Sequence, residues 1–295
     1  MKLQKQLTAA LAGAALFGSV ANAEIPLTDE LSAYGYIDMA LTDGEATGDT
    51  STTVAEFELG FAFTPTESAW SAVAELSFDG AGVTDFETVT ISYQYSDSLS
   101  FTIGNILSYQ GFETFDATGL YQFSYAGAGN TSLYSAGYAV GASADGSMGD
   151  FDYGVWVGDT DSGTNSFEYL VAYNGIENLT VKVIYADDPG YETVNVWAAY
   201  DYGDFTFAVE TVETEDGTGA DVLDVQTALV YYAMGKAGIT VRFADGEYAG
   251  AGYEKFTISP SYSFSDNVFG LVEFSSEELD GVEQDTAAVE LIYSF

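Results

Sequence analysis

Carboxylates dominate the chemistry open to this chain: 46 Asp and Glu stand against 6 Lys and Arg in 295 residues, with no His and no Cys. The missing residues remove imidazole bases, thiolate nucleophiles, disulfide frameworks and every triad in which His activates a Ser. Carboxylate pairs are the one catalytic device left, and no spacing singles out a pair for general acid and base work. Neither an enzyme nor a cofactor is expected. The formal charge of −40 at pH 7 makes nucleic acid an implausible partner. The stretch Asp159-Thr160-Asp161-Ser162-Gly163 begins like a calcium loop but lacks the sixth-position glycine and closing glutamate of an EF-hand, so no metal site is assigned to it. Where carboxylates are gathered in a narrow space, their remaining use is to attract cations.

Whether they are gathered depends on the elements that carry them, and those read as strands. Phe57, Leu59, Phe61 and Phe63 alternate with Glu56, Glu58, Gly60 and Ala62; after Pro65-Thr66-Glu67 come Trp70, Ala72, Ala74, Leu76 and Phe78. That is a hairpin with one apolar face. The form recurs in Val89 to Tyr95 with Phe101 and Ile103, Phe151 to Val157, Leu179 to Tyr185, Val194 to Tyr200, Phe205 to Val209, and Leu229 with Tyr231. Ile239 to Phe243, Phe256 to Phe264 and Val289 to Phe295 complete it. About 16 such segments, many near the length of a tilted membrane strand, are expected. If the apolar phase meets hydrocarbon, the opposite phase meets water, and on it fall Glu56, Glu58, Glu75, Asp152, Glu168, Glu210 and Glu290, together with Lys182, Arg242 and Lys255. Trp156 and Trp197 also take this inner phase; packing against an interior loop is preferred for them over a stacking track for sugars.

The connections alternate too. Tight turns at Pro65–Ala69, Asp97–Leu99, Asp201–Asp204, Ala233–Gly235 and Ser265–Asn267 alternate with longer polar loops at Thr42–Thr53, Asp79–Phe86, Thr160–Asn165, Glu213–Asp221 and Ser276–Gln284. Phe63, Trp70, Tyr95, Phe101, Tyr173, Tyr200, Phe205, Tyr231, Phe264 and Phe295 collect where strands meet the tight turns, as an interfacial girdle would. The loop acids Glu45, Asp49, Glu213, Glu215, Asp216, Glu277, Glu278 and Asp280 read as solvated charges, serving solubility or contact with lipopolysaccharide through divalent cations. Residues 1–23 read as a signal peptide: Lys2 and Lys5, a short apolar run from Leu7 to Val20, then Ala21-Asn22-Ala23. The mature chain, 24–295, would keep only Lys182, Lys236, Arg242 and Lys255 as basic residues.

Signal, alternating strands and the closing Val289-Glu290-Leu291-Ile292-Tyr293-Ser294-Phe295 together resemble the Gram-negative outer-membrane porins. Tyr34-Gly35-Tyr36-Ile37-Asp38, and Ile91-Ser92-Tyr93-Gln94-Tyr95 through Gly104 to Gly111-Phe112-Glu113, are similar to OmpL-like β-barrel porins. The resemblance implies an all-β fold, a transmembrane antiparallel up-and-down barrel of about 16 strands. It implies that the long connection from Ile106 to Ser132, in the place of the third external loop, folds into the lumen and narrows it. That connection carries Glu113, Asp116, Tyr109 and Tyr121, and its aromatic content suits packing inside a barrel. Tyr293 and Phe295 look like the address read by the barrel-assembly machinery, and a homotrimer in contact with outer-membrane lipids is implied. The expected function is passive diffusion of small hydrophilic solutes with a preference for cations, Glu113 and Asp116 opposing the basic wall residues. The alternatives are a sugar-preferring channel and a structural or adhesive barrel plugged by its own loop.

Overall fold

The computed structural model describes residues 24–44, 50–79, 84–135, 137–159 and 165–295. The proposed signal peptide, the loop acids Glu45 and Asp49, and most of the stretch Asp159–Gly163 lie outside the described residues.

Strand β1 (Ile25–Pro26) is a short lead-in. It is followed by β2 (Leu31–Gly44), β3 (Thr50–Phe63), β4 (Trp70–Asp79), β5 (Thr84–Ser96), β6 (Leu99–Leu107), β7 (Tyr138–Met148), β8 (Phe151–Asp159) and β9 (Asn165–Ile176). The second half comprises β10 (Leu179–Asp188), β11 (Tyr191–Tyr202), β12 (Phe205–Asp216), β13 (Asp221–Met234), β14 (Ala237–Tyr248), β15 (Ala251–Ser265), β16 (Val268–Leu279) and β17 (Val282–Ser294). Each strand from β2 onward pairs antiparallel with its neighbours in sequence, and β17 pairs with β2 from Thr286↔Gly44 to Ser294↔Tyr36. A closed barrel of 16 strands results, with β1 as an extra strand. Closure is completed by the final residue: Phe295 N–H donates to Gly35 O and Gly35 N–H to Phe295 O, both at 2.9 Å. Closing the sheet leaves no unpaired edge, the condition for strands to exist in hydrocarbon.

Alternation decides which side chains face in. On β12, Phe205, Phe207 and Val209 are exposed while Thr206, Ala208 and Glu210 are buried, and the same beat runs through Val241 and Phe243 beside Thr240 and Arg242. An outward band this apolar around the circumference would be untenable in water and suits lipid. Aromatic pairs stand at the short-turn end: Trp70 with Tyr93 at 4.7 Å, Tyr95 with Phe101 at 6.2 Å, Phe151 with Tyr173 at 5.0 Å, Phe205 with Tyr232 at 4.4 Å. The sequence-based phase fails at Leu229 and Tyr231, which turn inward; their outward neighbours are Ala228, Val230 and Tyr232. Tyr231 therefore leaves the girdle and packs against Tyr121 as a tilted ring pair, centroids 4.7 Å apart.

Three of the predicted long loops are mostly strand, and β2 and β3 already take all but residues 45–49 of Thr42–Thr53. β12 and β13 extend until only residues 217–220 remain between them, and β16 and β17 meet in a turn at Asp280-Gly281. Acidic residues are poor strand formers, which is why Glu213–Asp221 and Ser276–Gln284 read as loops. Here the ladder overrides propensity, because every added residue pair satisfies backbone groups on both strands, from Glu213↔Asp224 to Glu278↔Glu283. Asp280 and Gly281 both take positive φ, as do Ala249 and Gly250, the backbone that two-residue hairpins with matching twist require.

Candidate functional site

The longest described connection, from β6 to β7, is bonded to the buried face of β9–β16 through two stretches, Tyr109 to Phe112 and Tyr121 to Gly129. Its own backbone supplies most of the donors. Tyr109 N–H donates to Glu168 (2.6 Å), Gly111 N–H to Asn195 (2.9 Å), Phe112 N–H to Glu210 (2.9 Å), and Phe123 and Ser124 N–H to Glu273 (2.8 and 3.1 Å). Gly129 N–H reaches Glu277 at 3.0 Å. Apart from two 3-10 turns at Ala117–Gly119 and Ala128–Asn130 the segment is irregular, so most of its amides lack ladder partners, and inward carboxylates meet that need in charge-assisted bonds.

The cations of the wall serve the carbonyls. Arg242 donates to Glu113 in a buried ion pair, to Ser124 O (2.6 Å), Ser124 Oγ (2.9 Å), Tyr125 O (2.9 Å) and Thr257 Oγ1 (3.1 Å). Lys255 Nζ donates to Tyr125 O (2.9 Å) and Gly127 O (3.3 Å), and pairs with Glu277 at 3.5 Å. Glu113 in turn accepts from Ala126 N–H (2.8 Å) and Gln122 Nε2 (2.9 Å). Apolar contacts seal the join: Phe112 and Tyr121 pack with Ile184, Trp197, Ala208 and Leu229, while Ala126 and Leu133 pack with Val212, Leu223, Val225, Ala244 and Tyr253.

This arrangement changes the roles expected of several residues. Glu113 is 4% exposed and is a staple within the segment rather than a charge facing solvent. Glu168, Glu210, Arg242 and Lys255 hold the segment instead of lining open space. Glu277, expected as a surface charge, is one of its anchors. Tyr109 donates its hydroxyl to Asp145, and Tyr121 is buried between Tyr231 and Thr240, whose hydroxyl donates to Tyr121 O at 2.7 Å. Trp197 meets Phe112 edge-on at 5.7 Å with Lys182 Nζ over its ring at 4.9 Å, and Trp156 is buried, so neither ring is available as a stacking track for sugars. Asp152 is exposed near the short turns and accepts from Asn174 at 2.7 Å.

The opposite wall is built differently. On β2–β5 and the end of β17, Asp38, Glu56, Glu58, Glu75, Glu87 and Glu290 take the inner side, and no Lys or Arg stands among them. Tyrosines supply the donors: Tyr36 hydroxyl to Glu56 (2.6 Å) and Tyr34 hydroxyl to Glu75 (2.5 Å), with Ser77 also donating to Glu56 (2.9 Å). Asp116, half-buried on the segment, belongs electrically to this group. Its carboxyl is pushed up to about 8, first by burial and then by Glu75, Glu56 and Glu87.

Sequence reasoning missed Glu273, Asn195, Asp38 and Glu87. Asn195 sat in plain alternation with Val194 and Val196, so the inner phase could have found it, whereas Glu273 lay in a stretch, Val268 to Ser275, whose alternation is poor. Glu87 was hidden by a bulge: Leu76 pairs with Phe86 and Ala74 with Val89, so β5 carries an extra residue at Glu87-Thr88 and its phase slips.

No protein-family model matches the chain, and no curated protein matches it in sequence. Solved structures with similar folds include OmpT, an outer membrane protein of Vibrio cholerae, at 13% identity and a TM-score of 0.70, covering 92% of this chain and 100% of that one. An anion-selective porin from Comamonas acidovorans has 15% identity and a TM-score of 0.68 over 90% and 99%. A mutant of Rh. blastica porin has 19% identity and a TM-score of 0.67 over 90% and 100%. The chain has the fold of a porin-type outer-membrane β-barrel.

Proposed function

We propose that this chain is an outer-membrane pore through which small hydrophilic solutes diffuse passively, with cations preferred, the segment between β6 and β7 narrowing the bore. One observation carries the reading. Arg242 and Lys255 are consumed in holding the segment, while Asp38, Glu56, Glu58, Glu75 and Glu87, with Asp116 facing them, have no cation among them. A passage lined by one sign of charge between low-dielectric walls concentrates the opposite sign. The fold does not set that sign, since one similar structure is an anion-selective porin; the side chains do. Reversal potentials across a planar bilayer in a potassium chloride gradient test the reading: a potential of the sign for potassium is expected, and the chloride sign overturns it.

The depth of packing on β9–β16 favours a second reading, a closed structural or adhesive barrel. Purified protein that inserts into bilayers and never shows open steps would establish that alternative. The pore reading also takes residues 1–23 as the export signal and Tyr293 with Phe295 as the mark for the assembly machinery. Under it the barrels associate as a homotrimer, and the outer acids meet lipopolysaccharide through divalent cations.

A further inference from the structure

Three aligned residues hold one aromatic ring flat against the inner wall. Tyr34 on β2 stands directly across from Gly60 on β3, and Gly60 directly across from Glu75 on β4. The Tyr34 hydroxyl nevertheless reaches Glu75, two strands away, at 2.5 Å. Adjacent strands are about 4.8 Å apart, so the side chain covers that span only by lying across the strand between. A glycine there makes room: a Cβ on Gly60 would stand 2.3 Å from Tyr34 Cζ and 2.4 Å from its Cε2. One face of the ring is therefore covered by the wall, and the other is turned away from it. Tyr34 stays partly exposed, unlike Tyr36 two residues on, which is 2% exposed.

The surroundings of that free face are aromatic and negative. Glu58 and Glu75 are its charged neighbours on the wall, and Asp116 on the crossing segment is a third. The same three carboxylates neighbour Tyr138 at the start of β7, whose ring meets Phe115, the residue before Asp116, at 6.2 Å. Strands β2 to β5 contain no Lys or Arg. Carboxylates alone attract any cation and set no preference among them. An aromatic face does, because its electron density suits a cation that sheds water cheaply, and quaternary ammonium groups are the type recognised in this way.

We infer that the free face of Tyr34, with Phe115 and Tyr138 near the same carboxylates, is a recognition surface for organic cations of the quaternary ammonium type. The Tyr34 hydroxyl is engaged by Glu75, so the ring and not a hydrogen bond makes the contact. On the pore reading, which this site rests on and deepens, such a solute dwells longer in the passage than an inorganic ion of equal charge.

Tetramethylammonium is the probe, added to planar-bilayer recordings of the purified protein in potassium chloride. It should reduce the potassium current in a saturable manner, and Tyr34→Leu should raise the half-blocking concentration about fivefold or more. Tyr34→Phe, which keeps the ring, should retain the block. Gly60→Ala, which displaces the ring from the wall without altering its chemistry, should weaken the block as Tyr34→Leu does. Tyr169→Leu, exposed on the outer face of β9, leaves it in place. A block unchanged in both Tyr34→Leu and Gly60→Ala, each shown to be folded by its heat-modifiable migration, would overturn the site, as would a current indifferent to tetramethylammonium in the unaltered protein. Equilibrium dialysis of labelled tetramethylammonium against the detergent-solubilised barrel keeps the two ideas separate. Open current with neither block nor binding removes the site and leaves the pore, whereas saturable binding to a silent barrel, lost in Tyr34→Leu, removes the pore and leaves the site.

Discussion

The two sides of the bore use the same residue type for opposite ends. On β9–β16 the inward carboxylates Glu168, Glu210, Glu273 and Glu277 each accept backbone N–H groups of the crossing segment, and Arg242 and Lys255 take its carbonyls. On β2–β5 the carboxylates meet tyrosine and serine hydroxyls and one another. A carboxylate with an amide donor is structural, because desolvation is offset by a charge-assisted bond. The same group standing among other carboxylates has no cation beside it to offset its charge. Position on the wall, and not residue type, separates the two uses.

The comparison can be broken most severely at Arg242. Arg242→Ala leaves Glu113 buried and unpaired, which typically costs about 3 to 5 kcal/mol. A large drop in the heat-modification midpoint and a higher single-channel conductance are expected as the segment loosens; an unchanged conductance would deny that Arg242 holds the constriction. Neutralising the other wall should do the reverse. Glu56→Gln/Glu58→Gln/Glu75→Gln is expected to lower the potassium-to-chloride permeability ratio roughly tenfold while the midpoint holds or rises, since repulsion is relieved.

A sharper contrast comes from Glu273→Ala. Removing the acceptor for Phe123 and Ser124 N–H should cost about 1.5 to 3 kcal/mol in urea-dependent unfolding from detergent, yet leave ion selectivity as it was, although a negative charge has gone. The smallest effect is expected at Asp116. Its carboxyl titrates near pH 8 in the folded protein, so it binds its proton more readily there than in the unfolded chain. The folded barrel therefore gains stability as pH falls from about 8 toward the usual carboxylate range, and cation preference declines over the same fall. Reversal potentials from pH 9 to pH 6 should show that decline, and Asp116→Asn should flatten the part of it due to this residue.

Much of this was legible along the chain. Period-2 alternation matched the exposed apolar face across most strands and set Glu56, Glu58, Glu75, Glu168, Glu210, Arg242 and Lys255 on the phase opposite to it, because a strand sends successive side chains to opposite sides whatever its neighbours are. Where alternation was weak along the chain, around Tyr134 to Ala144, Ser166 to Tyr173 and Val268 to Ser275, the strands β7, β9 and β16 formed nonetheless, since pairing on both edges satisfies the backbone regardless of pattern. Asp280-Gly281 was a hairpin signal passed over inside an acidic run that read as a loop.

By itself, then, the sequence determined that these strands form, which phase is the exposed apolar one, and that carboxylates outnumber basic side chains on the other. It could not say which inward charges stay free. That was decided by the β6–β7 connection, which bonds to β9–β16 and engages Glu113, Arg242 and Lys255, while the carboxylates of β2–β5 have no Lys or Arg among them. Alternation is a local property of the backbone, whereas the pairing of Glu113 with Arg242 joins residues 129 positions apart and arises only when the closed barrel brings them together.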